Sequence, residues 1–259
     1  MNWKGKLESI EAFEDTSFDT ELLLKMETYS ERVTGRDIRF STPSFKGFNS
    51  SELRGCSKGV FPAFSVTGGA CALDCDHCQA KILKPMIPAF SPDELDSKVR
   101  KLVVEQNLRG FLLSGGSNKK NEIKYERFYP TIEKLVRDFP HLEIAVHTAL
   151  IDKEQATSLA NSGVTTAMLD IIGSDETIRD VYHLDRPVQD FEASLSVLCQ
   201  TSLNVVPHIV IGLHYGRILG EKNALEIVAH HDIEALVLVV VMPFYAVPGT
   251  FETPNPNLI

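Results

Sequence analysis

Downstream of residue 61 the chain alternates short apolar runs with longer stretches whose apolar positions recur every three or four residues. The runs at 61–67, 110–113, 142–147, 165–172, 204–213 and 235–242 are rich in Val, Ile and Leu, which suits parallel strands covered on both faces. Helices are predicted over 93–106, opened by Ser91-Pro92, and over 125–138, 153–161 (stopped by Gly163), 176–182, 191–201 and 223–231. Strands joined through helices must lie parallel with right-handed crossovers. The pattern therefore predicts an α/β fold with six parallel strands. The spacing alone fits either a doubly wound sheet or part of a TIM-like barrel.

Residues 1–60 follow another pattern. Leu22, Met26, Tyr29 and Val33 repeat at helical spacing behind a cap at Asp19-Thr20, while 36–58 is rich in Ser, Gly, Phe and basic residues. This predicts an N-terminal helix and an extended arm, pinned by packing of Phe40, Phe45 and Phe48, ahead of a main domain at 61–259.

Hydrophobic residues make up 43% of the 259, enough for a sizeable core, and the net charge is -9. An acidic chain lacks the basic surface that nucleic-acid binding requires. The N-terminus has no apolar run of the signal-peptide kind, and the greasiest run, 235–242, is too short to span a bilayer. A cytoplasmic protein is expected, and clustered cysteines suit a reducing compartment better than a disulfide framework.

Three of the five cysteines fall within eight residues, Cys71-Ala-Leu-Asp-Cys75-Asp-His-Cys78, spaced C-x3-C-x2-C. Three thiolates leave a four-iron cubane one ligand short, so one iron stays open for chemistry. Structural zinc, with His77 as fourth ligand, fits poorly because a second cysteine pair is absent downstream and His77 sits between two of the cysteines.

This motif resembles the signature of the radical S-adenosylmethionine (radical SAM) superfamily, and the resemblance extends over about 61–250. It implies a six-stranded partial (βα)6 barrel, a 4Fe–4S cluster held by Cys71, Cys75 and Cys78, and S-adenosylmethionine (SAM) on the open iron. Ser114-Gly115-Gly116 looks like the family's glycine motif for the SAM amino group, although Ser117 replaces the usual acidic residue. Glycines there let backbone approach a ligand closely. Val210-Ile211-Gly212 resembles the stretch that packs on adenine, and Met242-Pro243 with 247–250 resembles the loop that closes over it. Asp170, ending the fourth strand, can accept ribose hydroxyls or pair with an ammonium, and needs a partner if buried. Arg179 is either a donor to the SAM carboxylate or a solvated helix residue. His147 and His208 are candidate substrate contacts. The implied chemistry is one-electron cleavage of SAM to methionine and a 5'-deoxyadenosyl radical that abstracts hydrogen from an unactivated C–H bond.

Within the superfamily, 174–182 and 206–216 look most like biotin and lipoyl synthases, and most of all like a subunit of the two-subunit lipoyl synthase. That resemblance implies sulfur insertion into a protein-bound octanoyl group, an octanoylated carrier protein or peptide as substrate, and a second radical SAM subunit as partner. An electron donor of ferredoxin or flavodoxin type is implied as well. Sulfur insertion also needs a sulfur source, usually an auxiliary iron–sulfur cluster. Only Cys56 and Cys199 remain, and Cys56 is the candidate auxiliary ligand, because Cys199 falls mid-helix in an apolar setting. A closing helix, tail or partner is expected beyond the last strand. The alternatives are radical chemistry without sulfur, such as rearrangement or cofactor maturation, and a non-catalytic metal-binding subunit.

Overall fold

The computed structural model describes residues 61–241 and 243–255. The N-terminal helix and arm, Cys56 and Met242 lie outside the described residues. Seven strands form one open, wholly parallel sheet: β1 Ala63–Ser65, β2 Ile87–Pro88, β3 Gly110–Ser114, β4 Glu143–His147, β5 Thr166–Asp170, β6 Asn204–Ile211 and β7 Val237–Val240. Their order across the sheet is β2-β1-β3-β4-β5-β6-β7, so one edge is β2 and the other β7. All six expected strands are present. The seventh, β2, is a two-residue edge strand that Pro85 and Pro88 concealed in the sequence. An edge position tolerates proline because the missing N–H would face away from the ladder.

Among the described residues six α-helices connect or flank the strands: α1 Pro92–Gln106, α2 Tyr129–Asp138, α3 Lys153–Asn161, α4 Asp175–Tyr182, α5 Val188–Cys199 and α6 Glu221–Ala229. Their starts follow local chemistry. Ser91 accepts from Glu94 N at 3.2 Å with proline next to it, and Ser174 accepts from Thr177 N at 3.3 Å. Asp152 and Gln155 form a reciprocal capping box. Asn107 and His183 end α1 and α4 in left-handed conformation.

The sheet has one covered and one open face, set by the two-residue period of its strands. Phe111, Leu113, Ile144, Val146, Ala167, Leu169, Val205 and Ile209 are buried and belong to one core with Leu95, Val99, Ile132, Leu135, Leu159, Ile178, Leu195 and Leu198 of the helices. Phe64 and Phe111 meet edge to face, centroids 5.4 Å apart. The alternate residues Leu112, His147, Met168, Asp170, Val206, His208 and Val210 are only partly covered. They form the other face, which is concave in a partial barrel. Among the described residues no helix is long and apolar enough to cross a membrane.

Candidate functional site

The loop after β1 carries the three cysteines across the C-terminal ends of the strands, where parallel α/β folds collect their chemistry. Cys71 lies beside β3, its thiol 3.8 Å from the Ser117 carbonyl, while Ala72 N donates to that same carbonyl at 2.8 Å. Cys75 lies on the far side, its thiol 3.9 Å from the carbonyl of Tyr182, the last residue of α4. The neighbouring Cys78 side chain, with burial, raises the Cys75 thiol, while Cys75, together with His77, lowers Cys78.

Cys71, Cys75 and Cys78 thus form one electrostatic group. Crowded thiolates repel until a cation gathers them, and this donor set suits an iron–sulfur cluster. Gly116 supports the same fit. A Cβ there would lie 2.0 Å from the Ala70 carbonyl oxygen and 2.6 Å from Cys71 Cα, so the cysteine loop rests directly on the backbone of Gly116. The Thr67 hydroxyl accepts from Gly116 N at 2.7 Å and closes this contact. At Gly115 a Cβ would instead point at Val66 Cγ2, 2.8 Å away.

Asp76 ties the middle of the loop down. Its carboxylate accepts from the Tyr215 hydroxyl and from His183 Nε2, each at 2.9 Å. Its N–H donates to the Val181 carbonyl at 3.0 Å, and its carbonyl accepts from Val247 N at 2.8 Å. The segment after β7 reaches the loop a second time through Lys81 Nζ, which donates to the Tyr245 carbonyl at 3.3 Å.

Beneath the loop, on the concave face, β4, β5 and β6 bring three sequence-predicted residues together. Asp170 Oδ1 lies 3.7 Å from His147 Nε2 and 3.9 Å from His208 Nδ1. Asp170 Oδ2 accepts from the Tyr182 hydroxyl at 3.4 Å. The expected partner for Asp170 is therefore present. Tyr182 also stacks on His77, centroids 5.0 Å apart, and so joins this group to the cysteine loop. The buried His208 Nε2 and His77 Nδ1 have no partner among the described residues, which leaves two polar atoms for a bound molecule. The three donor atoms of His147, Asp170 and His208 lie within 4.8 Å of one another, a spacing that suits a cation or the ammonium end of a ligand.

Burial pushes the Asp170 carboxyl up, but His147, then His208 and His77, more than offset it and hold it well below the carboxylate range. Burial pulls His147 down while Asp170 raises it further, so His147 ends above the ordinary histidine value. Burial and the neighbouring His147 hold His208 down at about 4. The signs define a window. The contribution from Asp170 is present above the ordinary carboxylate pKa and is lost as pH falls through its lowered value; that from His147 is present below the ordinary histidine pKa and is lost as pH rises through its raised value. The pair is thus complete from roughly pH 4 to 6.5. In an imidazole NMR titration His147 is expected to titrate above about 6.5 and, in Asp170→Asn, below it. An unchanged His147 midpoint in that variant would show that the two groups do not interact.

The remaining sequence-predicted residues separate. Ser114 is buried at the end of β3, next to the two glycines. Of Val210, Ile211 and Gly212, alternation leaves only Val210 on the concave face; Ile211 is buried and Gly212 N donates to the buried Glu221 carboxylate at 2.8 Å. Arg179 is solvent-facing and paired with Asp180 at 2.8 Å. Cys199 sits at the end of α5, its thiol raised by burial. Sequence reasoning missed Asp76, Tyr182, His183 and Tyr215, whose contacts join segments far apart in the chain. Only the place of Asp76 next to Cys75 gave a signal.

A family model described as the Radical SAM superfamily matches residues 65–217. No curated protein matches the sequence. Among solved structures, methylornithine synthase (PylB) aligns with a TM-score of 0.57 at 15% identity, covering 77% of this chain and 58% of its own. HydG, a maturase of the FeFe-hydrogenase, aligns with a TM-score of 0.58 at 13% identity, covering 76% and 47%. The HydG of Carboxydothermus hydrogenoformans gives 0.52 at 16% identity, covering 74% and 46%. The chain thus spans about half the length of these structures, and at such identities the likeness is one of fold.

Proposed function

The chain belongs to the radical SAM superfamily, and from that premise we propose that it uses a SAM-derived radical to insert sulfur into a protein-bound octanoyl group, as one subunit of a lipoyl synthase. The observation that carries the reading is the three-cysteine loop at the C-terminal ends of the strands, joined through His77 and Tyr182 to Asp170 on a concave face with a polar and an apolar part. Cys71, Cys75 and Cys78 would hold the 4Fe–4S cluster. When bound, the cluster supplies the electron that splits SAM into methionine and the 5'-deoxyadenosyl radical.

The chain's own residues do the rest. The loop resting on Gly116 and tied through Asp76 fixes where the cluster sits. Asp170, charged and held by Tyr182, accepts the ribose hydroxyls or faces the ammonium of SAM. His208, neutral near pH 7, offers its unpaired Nε2 to the bound molecule. Leu112, Met168, Val206 and Val210 share the concave face with these groups and supply a surface for an alkyl chain. Lipoyl synthesis also draws support from the stretches 174–182 and 206–216. An auxiliary cluster would take ligands from Cys56, from a partner subunit or from small thiols.

The isolated chain is expected to cleave SAM but to fall short of two sulfur insertions, because three cysteines serve the cluster and Cys199 is half-buried on a helix. The test is mass spectrometry of an octanoyl-lysine peptide after anaerobic reaction, with and without a second radical SAM subunit. Complete conversion to the dithiol by this chain alone would refute the partner requirement. SAM cleavage without thiolation in either arm would favour radical chemistry that moves no sulfur.

A further inference from the structure

The cysteine loop also borders solvent on the side that faces the turn after β3. There Cys71, Thr67, Ala70 and Ala72 form one wall of an open surface cleft of about 470 Å³, faced by Ser117, Asn118, Lys124 and Arg127. Cys75 is buried, whereas Cys71 and Cys78 are partly exposed, and Cys71 is flanked by exposed Gly69, Ala70 and Ala72. No bulky side chain of this stretch stands between solvent and Cys71. Beyond the cleft the turn after β3, closed by Asn118 through Lys120 N and Glu122 N, carries exposed Lys119 and Lys120 at its tip. On the near side Lys84 packs by Gly69, whose Cβ position lies 3.8 Å from Lys84 Cγ. The rim thus carries Lys84, Lys119, Lys120, Lys124 and Arg127, against Glu122 and Glu126, which pair with Lys124 at 3.0 and 4.0 Å.

A cationic rim is out of keeping with a chain of net charge -9. It also lies beside Cys71, which with Cys78 is one of the two partly exposed cysteines of the triplet. We propose that this rim is the docking surface for a small acidic one-electron carrier protein, which delivers its electron to the cluster past Gly69–Ala72 and Cys71. The inference rests on the radical SAM reading above, in which each SAM cleavage needs one electron: the carrier is oxidised by one electron and the cluster is reduced by one. Opposed charge speeds encounter and orients it, and its effect weakens as salt screens it. The small residues at 69–72 let the carrier's redox centre come close, which matters because electron transfer slows steeply with distance.

The test compares the reconstituted wild type with Lys84→Glu/Lys119→Glu/Lys120→Glu, using two electron sources. One is dithionite, a small reductant that needs no docking surface; the other is a reduced acidic flavodoxin. Flavodoxin binding is measured separately by fluorescence anisotropy at low and high salt. The variant is expected to match wild type with dithionite. With flavodoxin it is expected to bind and to cleave SAM about tenfold less well at low salt, with a flattened salt dependence. Equal flavodoxin binding and equal salt dependence in the two proteins would overturn the proposal. Absence of dithionite-driven SAM cleavage in the wild type would instead refute the radical SAM reading. If the reversal variant loses iron, Lys119→Gln/Lys120→Gln takes its place: weaker flavodoxin binding with a flattened salt dependence supports the docking surface, and binding equal to wild type at both salt levels overturns it.

Discussion

Replacing Cys71, Cys75 or Cys78 by Ala is expected to abolish both iron uptake and SAM cleavage, the largest effect in this protein. Wild type reconstituted without oxygen should hold about four irons and four sulfides per chain from this site. Three protein ligands already leave one iron open, and a further vacancy leaves two irons of the cubane without protein thiolate. The fold itself should survive. Leu73 and Cys75 reach the core, but the sheet and helices close through contacts that do not involve the loop. Far-UV circular dichroism should therefore be unchanged while the iron content falls to background. Uptake of one zinc and no iron by the wild type would sink the cluster assignment.

Gly116→Ala is expected to act nearly as severely, though no ligand is removed. The added methyl would overlap the Ala70 carbonyl and press on Cys71 Cα. Those are backbone atoms, so relief requires the cysteine loop to lift from β3, which also stretches the bonds Gly116 N–Thr67 and Ala72 N–Ser117. Overpacking of this kind costs about 1–3 kcal/mol. The loop must then move Cys71 away from Cys75 and Cys78, so cluster occupancy should drop severalfold. Gly115→Ala is the comparison: its methyl would meet the buried Val66 side chain and not the backbone of the cysteine loop, so it overpacks the site without lifting that loop. Full iron incorporation in Gly116→Ala at wild-type thermal stability would mean that the close contact has no part in cluster binding.

The strands and helices were legible in the sequence because both faces of the sheet and the inner faces of the helices obey simple periods. Each predicted strand run encloses or nearly encloses its observed strand, and 153–161 matches α3 to the residue. The cysteine triplet was legible because its ligands are near neighbours in the chain. His147, Asp170 and His208 could be placed at strand ends, and their meeting follows from the register of adjacent strands, in which Asp170 pairs with His208. What stayed hidden depends on long loops and side-chain direction. The sequence offers no period that points Tyr182 at both Asp170 and His77, or Arg179, three residues earlier on the same helix, at solvent. Likewise the glycines of 114–116 suggested room for a ligand, whereas at Gly116 the space is taken up by the cysteine loop itself.

The knot at Asp76 carries a consequence for the order in which the molecule is assembled. Its partners His183 and Tyr215 lie 107 and 139 residues further along the chain, and Val247 lies beyond both. Contacts so distant in sequence close late, because the entropy of the intervening loop must be overcome first. As the chain leaves the ribosome, the three cysteines emerge long before the residues that hold their loop in shape. Until β6 and the segment after β7 have been made and packed, the thiols are loose ligands open to oxidation or to the wrong metal. Delivery of iron and sulfide is therefore a step that follows translation and folding of nearly the whole chain.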